Sequence, residues 1–442
     1  MLSTRLCLVL IALIWAALPL QAKNRILFVG LDTASSFEIK MWVPFGSTSD
    51  IAPGTAHLME HLKFKSSQEQ GLQHIEGIPG ASENAETSYN YTRFDVGLTV
   101  ENLKEALLAL KGVSEPLVVT AQQLATEKII VTQELLQRTT SDPDGPKLLS
   151  ALLELYQGSE FERRASGTEE SINAITMKDV LAYDGAHYAH ADKFLIIAGP
   201  PLPALVQKKI DELFDGAISG SIHVDGQRVA TRDDAELAAM GPFLKSPAFD
   251  VLKPARIVHT FPSTHVTATK LFFTKLVKGP TPWKSAIAAR LLQEAVRSRL
   301  PEGLRDHIAD DAGLVQDFGV DIAPLANGIW QFNFSASLTP GTDPDRVVKV
   351  VEDYLSGLAQ SGVSTTSLER LKRRHFLLDE WENADQRLQN LGFEAITFGY
   401  ENSMSGREDL KAVTSDDLEQ VLKLLNQEGR IGINLLKPEP HP

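Results

Sequence analysis

Cysteine is nearly missing from this chain: Cys7 is the only one in 442 residues. It lies inside an apolar N-terminal run. Beyond that run there is no thiol, no disulfide and no sulfur ligand for a metal. Any metal must then be held by histidine, aspartate or glutamate. Positive charge is also in deficit. The 43 Lys and Arg stand against 57 Asp and Glu, a formal net charge of -14. That balance argues against nucleic acid or an anionic membrane as the main partner. The apolar run itself, Leu6 to Leu18, is too short for a comfortable membrane span of about 20 residues. Arg5 precedes it, Pro19 ends it, and Leu20-Gln21-Ala22 offers a small-residue cleavage site before Lys23. This order reads as a secretory signal peptide over 1–22 rather than an uncleaved anchor, with the periplasm or the exterior as destination.

What remains is ordinary for a globular protein, with 43% hydrophobic and 23% charged residues. The length allows two or three packed domains, stabilised by core burial alone. Phe37, Ile39, Met41 and Val43 alternate with Glu38 and Lys40, the period of a half-buried strand. Pro53-Gly54 punctuate, and Thr55 is expected to cap a helix carrying His57 to about Phe64. A second strand is expected over Asn90 to Val100, with Phe94, Val96, Leu98 and Val100 on one face. Leu103, Leu107 and Leu110 mark a helix, and a longer one is expected from about Thr120 to Arg138. A duplication is also visible. Ile172 to Val180 and Leu410 to Leu418 each place a Thr three residues before an Asp, as at a capped helix start. Each is followed by a helix and a strand, Phe194 to Ala198 and Arg430 to Leu435. The Gly- and Pro-containing stretch between them is read as the connection of two similar α+β domains, giving 23–215, a linker 216–255 and 256–442.

The main chemical signal is His57-Leu58-Met59-Glu60-His61. On a helix, positions i and i+4 lie about 40° apart, so both imidazoles point the same way. Two such imidazoles can bind one zinc ion. Glu60 projects to the same side, where it can take a proton from a water. The bland alternative is a surface helix with two solvated histidines. This H-x-x-E-H order is, however, one of the zinc-peptidase motifs. Catalytic zinc needs a third protein ligand. The helix after Pro116 offers Glu127 and Glu134, two turns apart on one face, with Ile130, Val131, Leu135 and Leu136 free to pack on others. Spacing alone does not choose between the two, and such a pair is often only a solvated face.

Over nearly all of the mature chain, the sequence resembles the pitrilysin-type (M16) zinc metallopeptidases, in their short two-domain bacterial form. His57, Glu60 and His61 meet the family's inverted motif, and Glu127 and Glu134 meet its E-x6-E pair, 66 and 73 residues after His61. The resemblance implies that Glu134 is the third zinc ligand and that Glu127, counted as catalytic with Glu60, is a supporting carboxylate that orients or assists. Asn84-Ala85-Glu86-Thr87-Ser88 is similar to the family's edge strand, where substrate adds as a further strand, which makes Asn84, Ala85 and Thr87 substrate-binding residues. Gly167 to Ile172 and His187-Tyr188 match other recurring segments. The implied fold is α+β: two homologous domains, each a mostly antiparallel sheet covered by helices, together forming half of a clamshell, with the zinc in 23–215. One match is incomplete. Leu304-Arg305 fits the start of the family's substrate-contacting Arg/Tyr motif, but Gln316 stands where tyrosine is expected. Either the loop has diverged, or a second M16-like chain supplies that half, as a heterodimer or homodimer. The implied activity is zinc-dependent endopeptidase action on peptides in an enclosed chamber. The competing expectation is a non-catalytic or partner-dependent subunit of a processing complex.

Overall fold

The computed structural model describes residues 24–439, apart from 32–33, 67–71, 190, 203, 215–219, 226–227, 232–252, 311, 326–327 and 382–383. The expected signal peptide therefore lies outside the described residues. No helix among them is long and apolar enough to cross a membrane.

The first half runs β1 (Asn24–Gly30), β2 (Ser36–Val43), α1 (Thr55–Lys65), β3 (Ser82–Thr87), β4 (Thr92–Thr99), α2 (Leu103–Ser114), α3 (Ala121–Ser141), α4 (Gly145–Leu155), α5 (Glu169–Ala174), α6 (Met177–His187), β5 (Lys193–Gly199), α7 (Ala204–Leu213), β6 (Gly220–Asp225) and β7 (Arg228–Thr231). The second runs β8 (Ala255–Ser263), β9 (Lys270–Lys278), α8 (Trp283–Arg297), β10 (Val315–Leu325), β11 (Ile329–Leu338), α9 (Pro344–Ser361), α10 (Thr365–Trp381), α11 (Ala384–Phe398), α12 (Tyr400–Ala412), α13 (Ser415–Leu425) and β12 (Arg430–Pro438).

The two sheets are ordered β3-β4-β2-β5-β1-β6-β7 and β10-β11-β9-β12-β8. Without the β6–β7 hairpin the orders coincide: third, fourth, second, fifth, first. In both, the fifth strand runs antiparallel to the second and parallel to the first. The fold is thus α+β, with two topologically matched, mostly antiparallel sheets. The paired helix starts read from sequence are both complete capping boxes, Thr176 with Asp179 and Thr414 with Asp417. The stretch expected to connect the domains carries, in its described part, the β6–β7 hairpin, which extends the first sheet alongside β1.

Four local expectations differ. Thr55 does not cap α1. Gly54 holds the N-cap position at φ 89°, while the Asp50 carboxylate accepts from the backbone N–H of Gly54 and Ala56, at 2.7 Å each. A Cβ on Gly54 would lie 2.6 Å from the Ile172 side chain and 2.9 Å from the Gly167 Cα, so glycine is required there. Val100 is not on the β4 face but begins a 3-10 turn over Val100–Asn102 and is exposed. Ile130 and Leu136 do not pack inward: α3 buries Leu124, Glu127, Val131 and Leu135, leaving the other two exposed. Finally, β2 is buried on both faces. Phe37, Ile39, Met41 and Val43 join the first core, yet Lys40 and Trp42, on the opposite face, are also buried.

The cover on that opposite face comes from the other half of the chain. Leu388, Ala395 and Ile396 of α11, with Tyr400, pack on Leu27, Val29, Trp42, Phe194 and Ile196. The Lys40 ammonium is paired with Asp385 at 2.6 Å, which answers the cost of burying its charge. The exchange is reciprocal. From α4, Leu152 and Leu155 pack on Leu276, Ile329 and Ile257 of the second sheet. The Tyr156 hydroxyl, just beyond α4, donates to Gln331 at 2.7 Å. These two helices occupy corresponding places in chain order.

On the other side of the first sheet, α1 is pinned by its polar groups. The Lys63 ammonium lies 2.5 Å from the Asp184 carboxylate on α6 and donates to the Glu115 carbonyl at 2.8 Å, all in a buried setting. Burial lowers the Lys63 pKa, and Asp184 partly restores it. The Ser171 hydroxyl donates to the Pro53 carbonyl at 2.8 Å, so the Gly167–Ile172 segment braces the start of α1.

Two stability outcomes follow from these contacts. Gly392 crosses Trp42 so closely that a Cβ would lie 2.1 Å from the indole. Gly392→Ala should lower stability by about 1–3 kcal/mol, despite the usual helix gain of alanine over glycine; an unchanged or higher urea midpoint would contradict this packing. Lys63→Met leaves Asp184 as an uncompensated buried carboxylate, and a loss of about 3–5 kcal/mol is expected in the same assay. A loss below about 1 kcal/mol would mean that the pair does not anchor α1.

Candidate metal centre

Three elements converge on one end of the first sheet. The helix α1 presents His57, Glu60 and His61 on one face, as the i, i+3, i+4 spacing requires. The helix α3 starts at a capping box of Thr120 and Gln123 and lays Glu127 and Glu134 across α1. The edge strand β3 closes the third side and, among the described residues, pairs with β4 alone. Together they line a cavity of about 790 Å³.

The Glu134 Oε2 atom lies 3.4 Å from the Nε2 of His57 and 3.4 Å from the Nε2 of His61. Ligands at zinc distances of 2.0–2.2 Å in a tetrahedron are separated by about 3.4 Å. The donor set and its spacing therefore fit zinc. His57, Glu60 and His61 also form a group whose ligand atoms lie within 4.8 Å of one another. Glu60 is nonetheless the poorer third ligand on geometry. Its Oε2 accepts from the Thr87 hydroxyl at 2.5 Å, whereas Glu134 Oε2 is equidistant from both imidazole nitrogens. The other Glu134 oxygen is held by Arg138, one turn on. Glu127 stands behind His61: the two are 3.3 Å apart through His61 Nδ1. With the proton on Nδ1, that ring donates to Glu127 and leaves Nε2 free as a ligand. The Nδ1 of His57 is buried and has no hydrogen-bond partner among the described residues.

The electrostatics follow from this crowding. Burial raises the Glu60 pKa, offset in part by His57 and by the Thr87 hydrogen bond. For His61, burial lowers the pKa, but hydrogen bonds to Glu127 and Glu134 outweigh it and push the value up to about 9. Glu134 is held well below the usual carboxylate range by its contacts with His57 and then His61. The pocket thus favours positive charge, supplied by protons when no cation is present.

In β3, exposure alternates: Glu83, Ala85 and Thr87 are half-buried, and Asn84 and Glu86 are exposed. The backbone N–H of Ala85 is bonded to the Asn84 side chain at 2.9 Å, not to β4. Ala85 therefore belongs to the set whose backbone groups face the free edge, and by the period of two Glu83 and Thr87 share that direction. Asn84, Ala85 and Thr87 all line the cavity. Arg305 does not. It lies in the second half, beside a turn of π-helix over Asp306–Asp310, 3.8 Å from the Asp310 carboxylate. Gln316 is exposed on β10.

Sequence reasoning missed the supports of the site rather than its core. Arg138 could have been found, since it stands four residues after Glu134 on a helix. Asp50, and the Lys63–Asp184 pair, carry no local signal.

Comparison with known proteins identifies the family. Residues 25–181 match the family described as "Insulinase (Peptidase family M16)", and residues 174–374 match "Peptidase M16 inactive domain". The Helicobacter pylori "Zinc protease PqqE" is 22% identical over 324 residues, which are 72% of this chain and 68% of that protein. The Arabidopsis thaliana "Probable mitochondrial-processing peptidase subunit beta, mitochondrial" is 26% identical over 188 residues, 41% of this chain and 35% of the relative. The crystal structure of pitrilysin superposes with a TM-score of 0.72 at 18% identity, covering 94% of this chain but 44% of pitrilysin. The match thus spans about two thirds of the first relative, about a third of the second and less than half of pitrilysin. With two adjoining family matches that together run from residue 25 to residue 374, the chain belongs to the M16 (pitrilysin-type) family of zinc peptidases.

Proposed function

We propose that this chain is an exported zinc-dependent endopeptidase that hydrolyses peptides, with zinc on His57, His61 and Glu134 and with Glu60 as general base. The observation that carries this reading is the single Glu134 oxygen equidistant from two imidazole nitrogens, with a separate carboxylate, Glu60, left beside them. Zinc, when bound, lowers the pKa of a water and polarises a carbonyl group. The remaining work belongs to the protein. The free Glu83–Thr87 edge of β3 takes the substrate as an added strand, with backbone groups of Ala85 as partners. The Thr87 hydroxyl holds one Glu60 oxygen, which aims the other. Glu60, raised in pKa by burial, accepts the proton of the attacking water and delivers it to the leaving amide nitrogen as the C–N bond breaks. Glu127 keeps the His61 ring oriented.

The chain offers no tyrosine at the Gln316 position, and Arg305 does not line the cavity. We therefore read it as one half of an enclosure, completed by a second M16-like chain. The 44% coverage of pitrilysin supports the same reading. The N-terminal apolar run supports export to the periplasm or beyond.

Two measurements test the assignment on the assembly as purified. Glu60→Gln should keep zinc near the wild-type content and reduce peptide hydrolysis by about 10²–10⁴-fold; near-normal turnover in the zinc-loaded variant would remove Glu60 from its role. Glu134→Ala should lose more zinc than Glu127→Ala in metal quantitation. The opposite ranking would exchange their roles, and zinc near zero in the wild-type protein purified without chelator would favour the non-catalytic subunit.

A further inference from the structure

The second sheet carries a counterpart of the metal centre, and its chemistry is different. The helix α8 follows the second strand of its sheet as α1 does, and α10 stands where α3 stands. Arg290-Leu291-Leu292-Gln293-Glu294 repeats the spacing of His57-Leu58-Met59-Glu60-His61. The cross-helix bond is also repeated, with its ends exchanged. In the first half His61 on the short helix meets Glu127 on the long one. In the second, His375 on the long helix meets Glu294 on the short one, with His375 Nδ1 2.7 Å from Glu294 Oε1. Arg290 then stands where His57 would be, and Gln293 where Glu60 would be. A cation site has become arginine-lined.

These residues surround a second cavity of about 450 Å³, lined by Arg290, Gln293, Glu294, Arg297, Arg374 and His375. The Arg290 guanidinium is fixed behind it, paired with Glu394 and lying 5.7 Å over the Trp283 ring. Arg297 and Arg374 are exposed and make no hydrogen bond or ion pair among the described residues. The one lining acid, Glu294, spends one oxygen on His375, and its other oxygen is sealed from solvent. An entering ligand therefore meets guanidinium groups, in a chain whose net charge is -14.

We propose that this cavity binds an oxyanion group, carboxylate or phosphate, through Arg297 and Arg374 with Arg290 behind them. The planar forks of two free guanidiniums match the paired oxygens of either anion. The volume admits a ligand larger than a single inorganic ion. The inference does not depend on peptidase activity.

The test is calorimetric titration of the intact zinc-loaded chain at low ionic strength with three probes: inorganic phosphate, an N-acetylated tripeptide with a free C-terminal carboxylate, and the same peptide amidated. Saturable binding of phosphate or of the free-carboxylate peptide is expected, at least about 10-fold weaker in Arg297→Gln/Arg374→Gln, whereas any binding of the amidated peptide at the β3 edge should be the same in both proteins. Because both side chains are exposed and unpaired, the variant should keep its zinc content and melting temperature. Which probe binds identifies the source of the anion. Affinities for phosphate and the free-carboxylate peptide equal in wild type and variant, binding of the amidated peptide weakened by the two substitutions as much as that of the free carboxylate, or no saturable binding of either anionic probe, would each overturn the proposal.

Discussion

One carboxylate oxygen, that of Glu134, sits between two imidazole nitrogens contributed by a helix some seventy residues earlier in the chain. The geometry of the site depends on this meeting. Neither helix can arrange it alone, because the i, i+4 spacing sets only the direction of the imidazoles. The contacts around α1 and α3 make sense as means of bringing the two into register. Asp50 caps α1, Lys63 ties it to α6, the Gly167–Ile172 segment braces its start, and Thr120 sets where α3 begins. The cluster gathers three carboxylates about two imidazoles in partly buried surroundings. Such a set attracts positive charge, and the elevated His61 pKa of about 9 reports the same field.

Much of this was legible in the residues themselves. The His57–His61 motif and the Glu127/Glu134 pair are local patterns on helices, and local periodicity is what a sequence displays most openly. The strands around Phe37–Val43 and Phe194–Ala198 were also visible, as were the two Thr/Asp helix starts. What stayed hidden depends on distant parts of the chain. Lys40 looks like the solvent face of a strand until Asp385 and α11 cover it. Thr55 looks like a cap, but Gly54 holds the N-cap position and Asp50 reaches forward to the N–H groups of Gly54 and Ala56. The choice between Glu127 and Glu134 was open because both share one face of α3, and only the angle at which α3 crosses α1 distinguishes them.

The two halves show how much chemistry one topology can vary. Their strand orders agree, and each keeps a histidine–carboxylate bond between a short and a long helix. Around that shared bond the side chains differ in sign. One half surrounds it with carboxylates and the other with arginines. Fold and function separate here within a single chain.

The crossing of α4 and α11 has a consequence for origin. A lone copy of this unit would leave one face of its sheet bare and its corresponding helix with nothing to cover. It could satisfy both only by trading that helix with an identical neighbour, as in a swapped two-fold dimer. Joining two such neighbours head to tail would preserve every contact while releasing one site from the need to match the other. The divergence of the two pockets is the freedom that such a joining would give.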